Sequence, residues 1–163
     1  MPIILESVPL SVSQIVRLGK HPMGEVRVRV RLTNSHDAIR LELGEIREDE
    51  VRQYEADALV DTGAVMTVIP SHVAEVLGVG SRGKRVATYA DGREDTVDMT
   101  NPLFVEVMGR DTVEECLVLG DEVLIGQTVL EKTDLFVDCA RCRLVPNPAH
   151  PDQPVLKVKG FSR

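Results

Sequence analysis

The chain alternates between short apolar runs and polar turns, a pattern typical of a β-rich protein. Residues 25–32 alternate apolar with charged side chains and place Arg27, Arg29 and Arg31 on the same side. A period of two puts successive side chains on opposite faces of a strand. We therefore predict a strand with one buried face and one solvated face that carries the arginines.

Other segments predict two hairpins and several short helices. Asp91-Gly92 lies between the strand-like runs 85–90 and 93–99, a strong hairpin signal. Both arms are polar, so we expect this hairpin to project from the body. A second hairpin is predicted at 103–119, with its turn at 109–111. Further predicted strands cover residues 55–60, 117–119, 123–125, 135–138 and 143–145. Predicted helices cover residues 45–55, 72–77 (with Ser71 as N-cap and Gly78 as C-cap) and 127–132.

The two ends of the chain differ from its centre. Residues 1–23 predict either one short amphipathic helix or a mobile arm. Four prolines between positions 146 and 154 predict an extended tail over residues 147–163. Residues 24–146 are predicted to form a single domain.

Composition and charge narrow the possible partners. The chain of 163 residues has 43% hydrophobic and only 3% aromatic residues, so the core must be built from Val, Leu and Ile. A net charge of −7 without a basic run argues against nucleic acid or a membrane surface as partner. There is no apolar run long enough to span a bilayer and no signal-peptide pattern. Three cysteines cannot all pair within one chain, which favours a cytoplasmic location.

The cysteine spacing raises the possibility of a metal site. Cys139 and Cys142 have the inner spacing of a zinc site, but a structural zinc needs four ligands and there is no second pair. We therefore expect no metal and no cofactor. A redox pair and two unrelated thiols both remain open.

The candidate chemistry centres on the run Ala58-Leu59-Val60-Asp61-Thr62-Gly63-Ala64, where an apolar strand leads into a carboxylate and a glycine turn. Burying a carboxylate is costly unless it is hydrogen-bonded or used. Since an apolar run resumes at Val65, we expect Asp61 to lie inside a core rather than at a loop tip. His72 at the start of a helix is interpreted as structural, and Ser71 lacks the motif of a serine hydrolase.

Asp61-Thr62-Gly63-Ala64 after an apolar strand, the polar hairpin, and the later run Val123-Leu124-Ile125-Gly126 together resemble the retropepsin-like aspartic proteases. The resemblance covers residues 24–146. It implies a mainly β fold, a small closed barrel-like structure with a flap hairpin and one or two short helices. It also implies Asp61 as the catalytic residue, Thr62 as a link to a partner subunit, and Gly63 and Ala64 as the rest of the active-site turn. The implied flap, which would contact substrate, comprises Tyr89, Ala90, Asp91, Gly92 and Arg93. The implied bracing segment comprises Leu124, Ile125 and Gly126.

Two features of the sequence depart from the pattern of that family, and a third differs from its two-domain pepsin-like relatives. The expected flap is charged rather than glycine-rich, which bears on substrate preference. Gln127 stands where viral members often have Arg. Two-domain pepsin-like enzymes usually have Ser where this chain has Ala64, so we expect a mildly acidic activity optimum.

The chemistry of peptide hydrolysis leads to a prediction about assembly. A metal-free mechanism that uses water needs one group to act as base and another to act as acid. The chain contains a single Asp-Thr-Gly, so we predict a homodimer in which two Asp61 carboxylates activate water to cleave a peptide or protein substrate. The alternative is a non-catalytic dimeric β module that binds an extended peptide in the same groove.

Overall fold

The computed structural model describes residues 24–158 and residue 160. The predicted N-terminal helix or arm at residues 1–23 lies outside the described residues. No helix within the described part of the chain is long and apolar enough to cross a membrane.

The described residues form a mainly β fold, as predicted, with one curled sheet of nine strands and a separate sheet of two. The larger sheet contains β1 (Val26–Asn34), β2 (Gln53–Val60), β3 (Val68–Ile69), β4 (Ser81–Thr88), β5 (Glu94–Thr100), β6 (Leu103–Val107), β7 (Arg110–Glu114), β8 (Leu117–Val118) and β9 (Leu124–Ile125). The smaller sheet contains β10 (Leu135–Asp138) and β11 (Arg143–Pro146). The order in the larger sheet is β4-β5-β8-β3-β9-β2-β1-β6-β7, which places β2 and β9 side by side near its middle.

Strand β1 confirms the period-two prediction. Val26, Val30 and Leu32 are buried, whereas Arg29 and Arg31 are exposed. Arg27 is half-buried because its guanidinium group bridges the carboxylates of Glu25 and Glu122. β1 pairs antiparallel with β2 along almost its full length, and so forms the support on which β2 rests.

Within residues 24–158, three short α-helices accompany the sheets: α1 (Ser35–Glu42), α2 (Ser71–Leu77) and α3 (Gln127–Thr133). The predictions for α2 and α3 are confirmed. Helix α2 ends at Gly78, whose φ of 60° is left-handed, as expected for its C-cap. Its N-cap is Pro70, one residue before the predicted Ser71, and no side chain caps it.

The predicted helix over residues 45–55 is wrong. Only one turn of 3-10 helix forms there, Glu48–Glu50, and β2 begins at Gln53. Tyr54 pairs with Leu32 of β1, so sheet pairing overrides the weak helical stripe. A helix forms earlier in the chain instead, at α1. Its N-cap is Asn34, whose side chain accepts a hydrogen bond from the Asp37 N–H at 3.1 Å.

The second hairpin forms between β6 and β7, but its turn differs from the prediction. Met108 and Gly109 make the two-residue turn, with φ values of 52° and 73°. A two-residue turn with positive φ at both residues matches the right-handed twist of the strands that it joins. Arg110 therefore lies in β7, buried, and not in the turn.

The core is aliphatic, as the composition predicted. Ala58 at the end of β2 packs in it, three residues before Asp61. The other buried members include Val30, Leu32, Ile69, Val73, Leu77, Leu103, Val105, Val107, Val123, Ile125, Val129, Leu130, Leu135 and Leu144.

Residues 147–158, here called the C-terminal segment, return to the body of the protein at Asp134. The Asp134 carboxylate accepts hydrogen bonds from Asn147 Nδ2 at 2.9 Å and from the Val155 N–H at 3.0 Å. His150 Nδ1 lies 2.6 Å from the same carboxylate. The hydrogen bond from Asn147, with those from Val155 and His150, lowers the pKa of Asp134 to about 2. Buried Arg110 adds a bond to the His150 carbonyl oxygen at 2.9 Å, so one carboxylate and one guanidinium hold this segment.

Candidate active site

The Asp61 turn is positioned by the pairing of two strands in parallel. Leu59 of β2 lies opposite Leu124 of β9, and Val60 lies opposite Ile125. The Asp61 N–H extends this ladder by donating to the Ile125 carbonyl oxygen at 3.0 Å. Asp61, the first residue after β2, is therefore fixed by a backbone hydrogen bond that ends the ladder.

The carboxylate is oriented within the turn itself. Asp61 Oδ1 accepts a hydrogen bond from the Gly63 N–H at 2.8 Å, and the Ala64 N–H donates to the Asp61 carbonyl oxygen at 3.3 Å. A Cβ atom at position 63 would lie 3.1 Å from Oδ1, so glycine leaves room for this close approach. Among the described residues, Asp61 Oδ2 has no hydrogen-bond partner.

The turn lies nearer the surface than predicted. Asp61 is half-buried, and Thr62 and Gly63 are exposed, so the expectation that Asp61 lies inside the core is wrong for the single chain. The reason is that β2 ends at the Asp61 rung, and the backbone then turns outward before β3 returns to the sheet. The Asp61 side chain thus stays partly hydrated instead of bearing the full cost of burial.

The residues of the predicted bracing segment (Leu124, Ile125 and Gly126) lie directly beside this turn. A Cβ atom at Gly126 would lie 2.6 Å from the carbonyl carbon and oxygen of Met66, a distance that real side chains do not reach. The Gln127 N–H donates to the Ala64 carbonyl oxygen at 2.7 Å. The start of α3 is therefore packed backbone against backbone on the chain that follows Asp61.

Two threonines that sequence reasoning missed join the same contact. Buried Thr67 accepts a hydrogen bond through Oγ1 from the Gly126 N–H at 3.4 Å. Thr128 Oγ1 donates to the Val65 carbonyl oxygen at 3.0 Å. The only sequence signal was a hydroxyl residue, Thr67, inside an otherwise apolar run.

The polar hairpin (Ser81–Thr100) forms where it was predicted, from β4 and β5. Its tip contains a turn in which the Gly92 N–H donates to the Tyr89 carbonyl oxygen at 2.9 Å, and Gly92 has a φ of 83°. The guanidinium of Arg93 lies 4.9 Å from the centre of the Tyr89 ring and also bonds to the Asp91 carboxylate at 2.7 Å. Bonds from the Arg93 N–H and guanidinium lower the pKa of Asp91. The tip is thus ordered by its own side chains.

The structure joins the base of this hairpin, but not its tip, to the region of Asp61. Met99 of β5 pairs with Leu117 of β8, and β8 pairs in parallel with β3, which follows the Asp61 turn. No hydrogen bond or ion pair among the described residues links residues 89–93 to residues 61–64. The hairpin is therefore attached through its base to the strands around the turn, and its tip makes no hydrogen bond or ion pair with residues 61–64 among the described residues.

An open groove of about 690 Å³ lies beside the turn and borders Thr62 rather than Asp61. One wall comes from α3, with Gln127 and Leu130, and another from β10, with Phe136. The C-terminal segment completes it through Asn147, Val155, Leu156 and Lys157. Phe136 and Leu156 are exposed, so an apolar surface extends away from Thr62.

The other candidate residues lie apart from Asp61. His72 is exposed and makes an edge contact with the Tyr54 ring, whose centre is 6.2 Å away. Within the described residues, no three Cys, His, Asp or Glu side chains cluster as metal ligands would.

Comparisons with known proteins identify the family of the chain. The protease of simian foamy virus, solved in solution, is similar with 18% identity and a TM-score of 0.41, covering 64% of this chain and 90% of that protease. No match was found among curated proteins. The model of the family described as "gag-polyprotein putative aspartyl protease" matches residues 48–132. The matched region contains the Asp61 turn, the polar hairpin and Gly126, and it spans more than half of the sequence. The chain belongs to this retroviral-type aspartyl protease family.

Proposed function

We propose that the protein is an aspartic endopeptidase whose catalytic centre is formed by the Asp61 carboxylates of two identical chains. The observation that carries this proposal is the geometry of Asp61. The parallel ladder to β9 fixes its backbone, Gly63 fixes one carboxylate oxygen, and the other oxygen is left available.

The chemistry requires a second carboxylate. Water must lose a proton as it attacks the peptide carbonyl carbon, and the carbonyl oxygen must gain one. Two carboxyl groups that share one proton can do both, because the like charges disfavour double ionisation. Within the described residues, no second carboxylate is hydrogen-bonded to Asp61, so the partner carboxylate is assigned to a second copy.

A twofold axis beside the turn meets these requirements. Thr62 and Gly63 are exposed in the single chain, so two such turns can approach one another without unfolding either. Thr62 would donate across the axis to the partner's turn. Leu124, Ile125 and Gly126 would keep both turns rigid as they meet.

The substrate is proposed to be an extended peptide. The polar hairpin would act as a flap that closes over it, with Tyr89, Ala90, Asp91, Gly92 and Arg93 at the contact. The hairpin base is joined to the strands around Asp61 through β8, which supports this role. A peptide held between a flap and the sheet binds as an added strand with side chains on alternating sides.

Substituting Asp61 tests the proposal. Asp61→Asn should lower the cleavage of an unfolded protein substrate by about a thousandfold or more, because the amide can neither accept nor share the proton. Asp111→Asn is the matched control, since Asp111 also precedes a threonine but is exposed and followed by Val113 instead of glycine. Its activity should equal that of the unchanged protein.

Assembly is measured on the same samples by analytical ultracentrifugation. Both variants should remain dimers, since neither change removes apolar contact area. Cleavage that survives in Asp61→Asn, or an active monomer, would refute the proposal. If the unchanged protein is a dimer that binds peptide but cleaves nothing at any pH, it is the non-catalytic β module instead.

A further inference from the structure

The turn that joins β10 to β11 carries two exposed thiols. A single turn of 3-10 helix, Cys139–Arg141, is followed by Cys142 with a left-handed φ of 47°. Cys139 and Cys142 are both exposed and unpaired. Neither takes part in the proposed catalytic centre, so the pair lacks a role in the function described so far.

The turn is held in shape by the side chain that precedes it. The Asp138 carboxylate accepts hydrogen bonds from the Arg141 N–H at 3.3 Å and from the Arg143 guanidinium at 3.2 Å. A further contact joins it to the Arg141 guanidinium at 3.4 Å. The spacing of the two cysteines is therefore set by a network around Asp138.

That spacing suits a disulfide. The Cys142 N–H donates to the Cys139 carbonyl oxygen at 3.4 Å, so the two residues are the ends of a tight turn. The ends of such a turn lie within about 7 Å between Cα atoms, and a disulfide needs about 4.4–6.8 Å. The Cys142 thiol itself lies 3.6 Å from the Cys139 carbonyl oxygen, folded back over the residue it would bond.

The third cysteine provides a contrast within the same chain. Cys116 is fully buried between strands. Burial, with a smaller contribution from the charge of Glu114, raises the pKa of its thiol to about 12. A thiol that is neither accessible nor ionised does not exchange with disulfides at neutral pH.

We propose that Cys139 and Cys142 form a redox site in which both thiols are reversibly oxidised to one intramolecular disulfide by a low-molecular-weight disulfide such as oxidised glutathione. One cysteine attacks as its thiolate and forms a mixed disulfide, expelling the first glutathione thiolate. The second cysteine then attacks the bonded sulfur of the first and expels the other glutathione thiolate. Two cysteine thiols lose two electrons and two protons, and one glutathione disulfide becomes two glutathione thiols.

The position of this site links it to the groove beside the Asp61 turn. Phe136 and Val137 of β10 line that groove, and Asp138 begins the thiol-bearing turn. The two thiols would thus be oxidised and reduced at one end of the two-stranded sheet that forms a wall of the groove. The redox site does not depend on the proposed proteolysis.

The experiment uses the full-length protein in the Asp61→Asn background, so that self-cleavage cannot interfere. Samples equilibrated over a range of oxidised to reduced glutathione are acid-quenched, and free thiols are alkylated before intact-mass analysis and peptide mapping. We expect the oxidised protein to carry two alkyl groups fewer than the reduced protein and the disulfide to map to Cys139 and Cys142. Dithiothreitol added before alkylation should restore both alkyl groups.

Single variants separate this site from general thiol oxidation. Cys116→Ser should leave the titration unchanged. Cys139→Ser should instead give a glutathione adduct on Cys142, because the second attacking thiol is missing. The proposal is overturned if both thiols stay alkylatable, if two glutathione adducts accumulate, or if the disulfide forms between chains. Because mass is the readout, failure of the disulfide to form would leave the proposed protease activity untouched. Likewise, a lack of protease activity would leave the proposed redox site untouched.

Discussion

Gly126 is the residue at which the geometry of the candidate site tolerates least change. The contacting atoms are backbone atoms of Met66 and Val65, which cannot swing aside as a side chain would. The same closeness allows the Gln127 N–H to reach the Ala64 carbonyl oxygen. An added methyl group would therefore separate the bracing segment from the Asp61 turn.

Gly126→Ala should lower the free energy of unfolding by about 3 kcal/mol, the cost of overpacking a tight contact. Gly80→Ala is the control, because its added Cβ would meet only the end of the Asn101 side chain at 3.0 Å. The control should change stability by less than about 1 kcal/mol. Urea unfolding followed by circular dichroism measures both, and equal stability of the two variants would contradict the role given to Gly126.

Ala64 sets the chemical environment of the turn through what it lacks. It is half-buried beside Asp61 and offers no hydroxyl. Ala64→Ser would add a donor that favours the ionised carboxylate, so the activity optimum should move to lower pH by about one unit. The pH–rate profile of Ala149→Ser, an exposed site, should stay in place. If Ala64→Ser leaves the pH–rate profile unmoved, the lack of a hydroxyl at this position does not affect the activity optimum.

Among the elements, α1 is joined to the start of β2 through the ion pair between Asp37 and Arg52. Asp37 is buried, and Arg52 donates to it from Nε at 2.7 Å, from Nη2 at 2.9 Å and from its backbone N–H at 3.1 Å. The side-chain bonds from Arg52 chiefly lower the pKa of Asp37 from its ordinary 3.8 to about 2. The carboxylate that anchors α1 is thus stabilised in its charged form.

This shift predicts how stability depends on acid. The folded protein holds Asp37 ionised more strongly than the unfolded chain does, so the stabilisation is complete above about pH 4 and is lost as pH falls towards 2. Asp37→Asn should cost about 2 kcal/mol at neutral pH and flatten the fall in acid. Exposed Asp49→Asn is the control and should leave the curve unchanged. Urea midpoints measured from pH 7 to pH 2 decide between these outcomes.

The elements also show how far sequence could lead. Residues 25–32, the hairpin at Asp91-Gly92 and helix α2 carry local signals, either a period of two or a glycine at a required turn. Helix α1 was missed because its signal is one capping residue, Asn34, without a strong apolar stripe. The turn at Met108-Gly109 was misplaced because a methionine with positive φ has no local signature.

The residues of the candidate site also differ in whether the sequence alone could identify them. Asp61, Thr62 and Gly63 could be singled out because a carboxylate and a glycine interrupt an apolar run. The roles of Thr67 and Asp134 could not, since their partners come from distant parts of the chain. Contacts of this kind follow from the folded topology and leave no pattern in neighbouring residues.

For the whole molecule, the central prediction is that activity belongs to a pair of chains. Mixing equal amounts of active protein with Asp61→Asn, under conditions that allow subunits to exchange, should reduce activity to about half, because random pairing divides the active chains between dimer types. Adding Asp111→Asn instead should double the active material. Activity that is indifferent to added Asp61→Asn would show that each chain works alone.

The ladder between β2 and β9 also bears on how the protein is made. Thr67 and Gly126 are 59 residues apart in sequence, and Val65 and Thr128 are 63 apart, so the turn is secured by contacts that close long loops. Such non-local pairings form slowly and late. On the ribosome, the segment with Asp61 emerges long before Gly126 is synthesised. A growing chain therefore carries the Asp-Thr-Gly sequence without its fixed geometry until the segment around Gly126 has been made.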